Sequence, residues 1–245
     1  MRRSGHLYEQ AFTPDALMAA FHAAARNKHG KRSCFAFERR LARNLDALHQ
    51  ELADGSYRPQ PYYSFQVSQP KPRRIYAPAF RDLVVQHAVY AVCGPIFERC
   101  FIAQSFACRR GYGTHKAADY AQAALQGSPR GSYVLKLDIR KFFYRIDRRV
   151  LREQVERKIK DARFVDLMMR FADYGEPVGI PIGNLLSQLY ALIYLNPLDH
   201  FIKRTLGVRH YCRYVDDLVL FGLSRQDLLA AKARIVGFLD GVGLC

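Results

Sequence analysis

The spacing of apolar residues along the chain predicts an alternation of helices and short strands. Apolar side chains recur at helical spacing over residues 81–92, whereas Tyr, Phe and Val alternate over residues 57–77, which favours edge strands because that stretch also contains four prolines. Thr13 followed by Pro14 is typical of a helix start. Further helices are predicted for residues 13–29, 35–52, 116–125, 148–160 and 226–239, with a further apolar segment at 164–173.

A glycine-punctuated turn over residues 178–188 is predicted to lead into an apolar helix that reaches Tyr194. Asn196 and Pro197 follow, and proline inside a helix removes a backbone hydrogen bond. We therefore expect the helix to stop there.

Acidic residues interrupt two of the predicted strands. The stretch CRYVDDLVLFG predicts two strands, 211–215 and 218–221, joined by a turn that holds Asp216 and Asp217, and Asp138 lies near the end of a strand predicted over 133–139. Carboxylates avoid apolar surroundings unless a partner compensates them. A solvated turn and an ordinary salt bridge would explain these acids, and so would divalent metal ions.

The three acids can converge only if their strands are neighbours in one sheet. Grouped carboxylate oxygens suit Mg²⁺, and a pair of such ions stabilises the attacking and leaving oxygens of a phosphoryl transfer. That chemistry also needs cations near the triphosphate. Lys71, Arg73 and Arg74, in the stretch QPKPRRI, are candidates.

Charge narrows the class of partner. The 245 residues include 38 Lys and Arg against 22 Asp and Glu, which gives a formal net charge of +16 and a pI of about 9.8. Such an excess favours a polyanionic partner, first of all nucleic acid, and the 15 Tyr and 16 Phe could stack on bases. A basic protein with no such partner is the alternative.

Cysteine spacing and hydropathy bear on location. The six cysteines form no C-x-x-C pair and no metal-binding spacing with the eight histidines, so we expect reduced thiols in the core. No stretch approaches eighteen apolar residues, and the N-terminus lacks the apolar segment of a secretion signal. A cytoplasmic location without membrane association is expected.

Seven collinear strings carry a family resemblance. They are PKPRRIYAP at 70–78, FRDxxxQHA at 80–88, PIFER at 95–99, SFACRRGYGTH at 105–115, LKLDIRKFFYRID at 135–147, GIPIGNLLSQ at 179–188 and RYVDD at 213–217. In this order they resemble a reverse transcriptase, and in particular the bacterial and phage enzymes of diversity-generating retroelements, which are related to group II intron-type enzymes.

The resemblance implies an α+β, right-hand polymerase fold with fingers and palm subdomains and an antiparallel palm sheet flanked by helices. Fingers are expected at 1–113 and 148–182, and palm at 114–147 and 183–245. The last residues, GVGLC, resemble the approach to the next motif of the family, so a thumb is expected to be absent from these residues.

The resemblance also assigns roles in catalysis and nucleotide binding. It assigns catalysis to Asp138, Asp216 and Asp217, and metal binding to the same three acids and to Ile139. Two Mg²⁺ ions are expected, with Mn²⁺ as an alternative. Nucleotide binding falls to Lys71, Arg73, Arg74, Phe143, Ile182 and Gly183. Phe143 matches the steric gate that favours dNTPs over NTPs. Arg109, Arg110 and Tyr214 are candidates for contact with nucleic acid.

Ile182 and Gln188 distinguish this chain from retroviral and intron-encoded relatives, which usually carry Gln before the glycine and Pro after the serine. Isoleucine removes an amide that could hydrogen-bond the nucleotide, and such a bond can contribute about 1 kcal/mol to discrimination. The hypothesis is an error-prone polymerase, particularly opposite template adenine. A neutral packing difference is the alternative.

The expected activity is therefore RNA-directed DNA synthesis in a bacterial or phage retroelement. Its expected partners are an RNA template, the cDNA or primer, dNTPs and a small basic accessory protein. A phage-defence or group II intron-like reverse transcriptase is an alternative. So is a non-catalytic RNA-binding scaffold that keeps the polymerase fold.

Overall fold

The computed structural model describes residues 3–69 and 71–244. Pro70, which opens the first of the seven strings, and Cys245 lie outside the described residues. Four helices come first: α1 (Leu7–Ala11), α2 (Pro14–Ala25), α3 (Arg32–Glu38) and α4 (Leu41–Asp54). The predicted start of α2 is confirmed, since the Thr13 hydroxyl accepts a hydrogen bond from the amide of Ala16.

The prediction of a single helix over residues 35–52 is wrong, because the helix is interrupted between α3 and α4. Arg40, which precedes α4, leaves the helical region with φ −130° and ψ 39°. The Asn44 side chain then donates to the Phe37 carbonyl at 2.8 Å and so satisfies an acceptor at the end of α3.

The proline-containing segment forms an antiparallel pair, β1 (Tyr63–Val67) and β2 (Arg73–Ala77), as expected. Phe65 is the partner of Ile75, and Val67 is the partner of Arg73. Cross-strand partners share a face, so Arg73 and Ile75 lie on one face of this hairpin and Arg74 on the other.

Helix α5 (Phe80–Glu98) extends beyond the predicted residues 81–92 and passes through Pro95. Cys93 and Phe97 are buried in the core, so packing compensates the backbone hydrogen bond that proline cannot make. Helix α6 (Thr114–Gln126) follows and packs against the edge of the second sheet.

That second sheet is antiparallel, with β5 (Asp217–Leu223) between β3 (Tyr133–Asp138) and β4 (His210–Tyr214). Helix α11 (Arg225–Asp240) packs on β3 and β5. The strand neighbours are those that the acids require, because β3 and β5 lie side by side although Asp138 and Asp216 are 78 positions apart in the sequence.

Between β3 and β4 the chain forms α7 (Phe142–Arg145), α8 (Arg148–Glu156), α9 (Ala162–Ala172) and α10 (Leu185–His200). The predicted stop at Asn196 and Pro197 is wrong, since α10 continues to His200 and then into one π-helical turn, Phe201–Thr205. Leu198 and Asp199, just after the proline, are fully buried, so tertiary packing holds the helix together there.

Helices and antiparallel strands together give the α+β architecture that was expected. Among the described residues, no helix combines the length and the apolar composition that crossing a bilayer requires. The predicted boundaries between fingers and palm stay a prediction.

Candidate active site

The three acids converge at one end of the second sheet. Asp138, the last residue of β3, is the Cα partner of Asp217, the first residue of β5. Asp216 lies in the two-residue turn before β5, and its carbonyl accepts a hydrogen bond from the amide of Ile139 at 3.3 Å. Of the two acids that were predicted in the turn, only Asp216 is there.

The electrostatics of the turn show that negative charge accumulates around Asp216. Burial raises the pKa of the Asp216 carboxyl, and the neighbouring carboxylates of Asp138 and Asp217 raise it further. The guanidinium of Arg73 acts in the opposite direction. Arg73 lies on β2, so a basic residue of the β1–β2 hairpin acts on this carboxyl.

Lys136 neutralises part of this charge. Its ammonium lies 3.0 Å from Asp217 Oδ1, and that ion pair, together with the more distant Asp138, raises the pKa of Lys136. Lys136 precedes Asp138 by two residues, so both side chains leave β3 on the same face. Sequence reasoning missed this residue, although the strand period would have indicated it.

The donor set fits divalent cations, because three carboxylates are hard oxygen ligands and their mutual repulsion is what a cation relieves. The ligand oxygens of the three acids do not all lie within 4.8 Å of one another. Within residues 3–69 and 71–244, the one trio of His, Cys, Asp or Glu side chains that meets this distance is His29, Cys34 and Glu38. That trio consists of a surface His29–Glu38 pair at 3.3 Å beside the buried Cys34 thiol.

The basic candidates of the β1–β2 hairpin differ in position. Lys71 lies exposed in the loop before β2, and Arg73 and Arg74 are exposed on opposite faces. Arg73 shares its face with Ile75, which approaches Gly183. Arg73, whose charge lowers the pKa of Asp216, therefore lies on the face of the hairpin that approaches Gly183, and Arg74 lies on the other face.

Ile182 and Gly183 form a junction between this hairpin and the start of α10. The amide of Tyr76 donates to the Ile182 carbonyl at 2.7 Å. Gly183 has φ +102°, and a Cβ built on it would lie 2.5 Å from Ile75 Cγ2, so both backbone conformation and space require glycine. Ile182 is half-buried, whereas Gln188 is exposed on the first turn of α10.

Phe143 lies on α7, five residues after Asp138, and is half-buried. Its carbonyl accepts the amide of Ile180 at 2.9 Å, and Gly179 packs so closely that an added Cβ would lie 2.8 Å from the same carbonyl. The segment before α10 thus fixes the backbone that carries Phe143. Gly179 is a second residue whose role in the site sequence reasoning missed.

The proposed nucleic-acid contacts have different surroundings. Arg110 and Tyr214 are exposed, but the side chain of Arg109 is only 4% exposed. The Arg109 guanidinium donates to Glu98 and to the carbonyls of Ile102 and Ser105, and it stacks on the Tyr112 ring at 3.9 Å. These internal contacts account for Arg109 within the fold, so its contact with nucleic acid stays a prediction that the geometry disfavours.

Residues 70–245 match the family described as reverse transcriptase (RNA-dependent DNA polymerase). The chain belongs to the reverse transcriptase family. The match covers all the residues to which a catalytic or nucleotide-binding role was assigned, including Asp138 and the Asp216–Asp217 pair.

Two curated relatives of the chain are bacterial. Protein YkfC of Escherichia coli (strain K12) is 30% identical over 82% of the chain, which spans 65% of YkfC. The group II intron-encoded protein LtrA of Lactococcus lactis subsp. cremoris is 32% identical over 62% of the chain, which spans 27% of LtrA. The chain thus corresponds to a part of each relative.

Solved structures support the fold. Telomerase from Candida tropicalis, truncated from its C-terminal domain, superimposes with a TM-score of 0.54 at 13% identity, over 80% of this chain and 52% of the other. Telomerase from Candida albicans, in complex with a fragment of telomeric RNA, also gives 0.54, at 12% identity, over 78% of this chain and 42% of the other. At this identity the likeness confirms the reverse transcriptase fold alone.

Proposed function

We propose that this chain is the catalytic part of an RNA-directed DNA polymerase that adds dNTPs to a primer on an RNA template. The observation that carries the proposal is the juxtaposition of Asp138 and Asp217 across β3 and β5, with Asp216 in the adjoining turn. Family membership and the fold support the same activity.

In this proposal Asp138, Asp216 and Asp217, together with the backbone at Ile139, hold divalent cations, Mg²⁺ or alternatively Mn²⁺. Bound there, the cations supply charge neutralisation for the attacking and leaving oxygens of nucleotidyl transfer. Arg73 orients the incoming triphosphate from the fingers hairpin, with Lys71 beside it. Phe143 limits the space beside the sugar, which favours dNTPs.

The test is dNTP incorporation by the full-length protein on a primed RNA template, with and without Mg²⁺. Asp216→Asn should abolish incorporation, while Asp119→Asn, a change of an exposed acid on α6, should leave it intact. No synthesis by a folded wild-type protein would favour the alternative of a non-catalytic RNA-binding scaffold. Equal synthesis by wild type and Asp216→Asn would overturn the assigned metal site.

We further propose that the enzyme is error-prone and of diversity-generating type. The supporting observation is the pair Ile182 and Gln188, in a position where a half-buried isoleucine replaces a hydrogen-bonding amide. Fidelity of the wild type should be compared with Ile182→Gln on one template. The variant should make fewer errors opposite adenine, and an unchanged error rate and spectrum would contradict this role.

A group II intron-like role is the second candidate, favoured by the 32% identity with the intron-encoded LtrA. Template choice separates the two: preference for a structured intron RNA would favour the intron-like role, and preference for a template repeat beside a variable repeat would favour the diversity-generating one. A phage-defence role is a further alternative within this proposal. The proposal also includes a small basic accessory protein as partner and the bacterial cytoplasm as location.

A further inference from the structure

A charged pair that no catalytic step requires lies directly behind the acidic turn. Arg213 on β4 and Asp199 near the end of α10 both have side chains with 0% exposure. Two parallel hydrogen bonds join them, Arg213 Nε to Asp199 Oδ1 at 2.8 Å and Nη2 to Oδ2 at 2.6 Å. Burying both charges is costly, so such a pair calls for an explanation beyond stability.

Arg213 is withdrawn from any direct contact with nucleic acid. Its strand is fixed at the same residue, since the Arg213 amide donates to the Gln104 carbonyl and the Arg213 carbonyl accepts from the Phe106 amide, both at 2.9 Å. Tyr211 adds a third hydrogen bond to Asp199 Oδ1 at 2.7 Å. The guanidinium is thus held in one place by a network whose members are themselves anchored.

The remaining nitrogen of this guanidinium reaches the acidic turn. Arg213 Nη1 donates to the carbonyl of Val215 at 2.9 Å. Val215 has φ +56°, a left-handed conformation that is rare for a β-branched residue, and it immediately precedes Asp216. A conformation of this kind persists only where surrounding contacts impose it.

We propose that Arg213, held by Asp199, is a positioning residue that keeps the Val215–Asp216 turn in the conformation that presents the Asp216 carboxylate to the site. Only the expected effect of Arg213 on catalysis rests on the proposed polymerase function. Arginine is needed because one planar group must bind the carboxylate with two nitrogens and the carbonyl with the third, which the single ammonium of lysine cannot reproduce.

Arg213→Lys in the full-length protein tests the proposal by three measurements. Hydrogen exchange of the amides at residues 214–218 should accelerate about tenfold, the order expected for the loss of one charge-assisted hydrogen bond. Mn²⁺ binding without nucleotide, followed by electron paramagnetic resonance, should weaken about as much. The Mg²⁺ concentration that gives half-maximal incorporation should rise in parallel.

Val215→Gly provides a rescue, because glycine adopts positive φ without steric cost. In the double variant Arg213→Lys/Val215→Gly, part of the lost Mn²⁺ affinity should return. Arg81→Lys is the matched control: Arg81 also pairs with acids, Glu51 and Asp82, but lies on α5, away from the turn. It should lower thermal stability without changing Mn²⁺ affinity or the Mg²⁺ requirement.

Should Arg213→Lys fail to fold, Asp199→Asn preserves the shape of the partner while removing its charge, and the same exchange and Mn²⁺ measurements apply. Unchanged exchange and Mn²⁺ affinity in a folded variant would overturn the proposal, and so would a double variant with no recovery. Absence of RNA-templated synthesis by the wild type would refute the polymerase function instead, since exchange and Mn²⁺ binding are measured without it.

Discussion

Asp138 and Asp217 face each other as the last residue of one strand and the first residue of its neighbour. With Asp216 beside them, the fold concentrates three carboxylates against one close ammonium, that of Lys136 at 3.0 Å from Asp217. An arrangement of this kind opposes folding when no cation is bound, and a prediction about stability follows.

Asp216→Asn should raise the melting temperature of the metal-free protein at neutral pH. Folding raises the pKa of the Asp216 carboxyl, so the native state disfavours its ionised form. The protein therefore loses stability as the pH rises above the ordinary carboxyl pKa, where the unfolded chain releases the proton more readily than the native one. Thermal denaturation in the presence of a chelator measures the effect. The difference between the proteins should shrink as the pH falls through the ordinary carboxyl pKa of about 4 and disappear well below it, where the unfolded carboxyl is also protonated.

Added Mg²⁺ provides the complementary measurement. It should raise the melting temperature of the wild type more than that of Asp216→Asn, because a cation that binds only the native state stabilises it. Asp119→Asn, a change of an exposed residue of α6, should respond to Mg²⁺ as the wild type does. An equal response of the wild type and Asp216→Asn would contradict binding at these acids.

Gly183→Ala should destabilise the protein by about 2 kcal/mol or more, because it combines a positive φ with a clash against Ile75. Chemical denaturation gives the free energy of unfolding. Ile75→Ala in the same chain should recover the steric part of the loss but not the conformational part. Gly207→Ala is the matched control, since its φ of +67° is also positive but its added Cβ would meet open space.

Phe143→Ala should reduce the preference for dNTPs over NTPs about tenfold or more, because the ring limits the space available to a ribose hydroxyl. Competition between dCTP and CTP on one template measures the ratio of kcat/KM. Phe143→Tyr keeps the bulk and should keep the preference. A ratio that is unchanged in Phe143→Ala would assign the ring to core packing, where it already contacts Phe142 edge to face.

Asn184→Ala should cost about 2 kcal/mol of stability, since the Asn184 side chain has two functions. Its oxygen caps α10 by accepting the Ser187 amide at 3.0 Å, and its nitrogen donates to the Tyr62 hydroxyl at 2.7 Å. Ser224→Ala, at the exposed cap of α11, should cost about 1 kcal/mol. Equal losses in the two variants would show that the contact with Tyr62 contributes nothing.

The sequence predicted the three strands of the second sheet well, with Asp138 at the end of one and Asp216 in the turn, because the strand period and the RYVDD string are local signals. It mispredicted the end of α10, because the burial of Asp199 depends on Arg213 in a strand that comes later in the chain. The break between α3 and α4 was missed for a similar reason, since the bond from Asn44 to Phe37 has no signature in composition.

Site residues also differ in how far the sequence indicates them. Asp138 and Asp216 are recognisable from their strings, and the strand period relates Lys136 to Asp138, whereas Gly179 gains its role from a contact with Phe143 that only the folded chain creates. Asp199 is the clearest example, because an acid just after an asparagine and a proline in an apolar helix gives no indication that it supports an arginine behind the turn.

The hydrogen bond between Tyr76 and Ile182 has a mechanical consequence for the β1–β2 hairpin. It holds the base of the β1–β2 hairpin against the segment that leads into α10, so this end of the hairpin is fixed. In the proposed function, a movement of Arg73 toward a triphosphate must then come from bending at the other end of the hairpin, near Val67 and Arg73, while Ile182 and Gly183 stay in place.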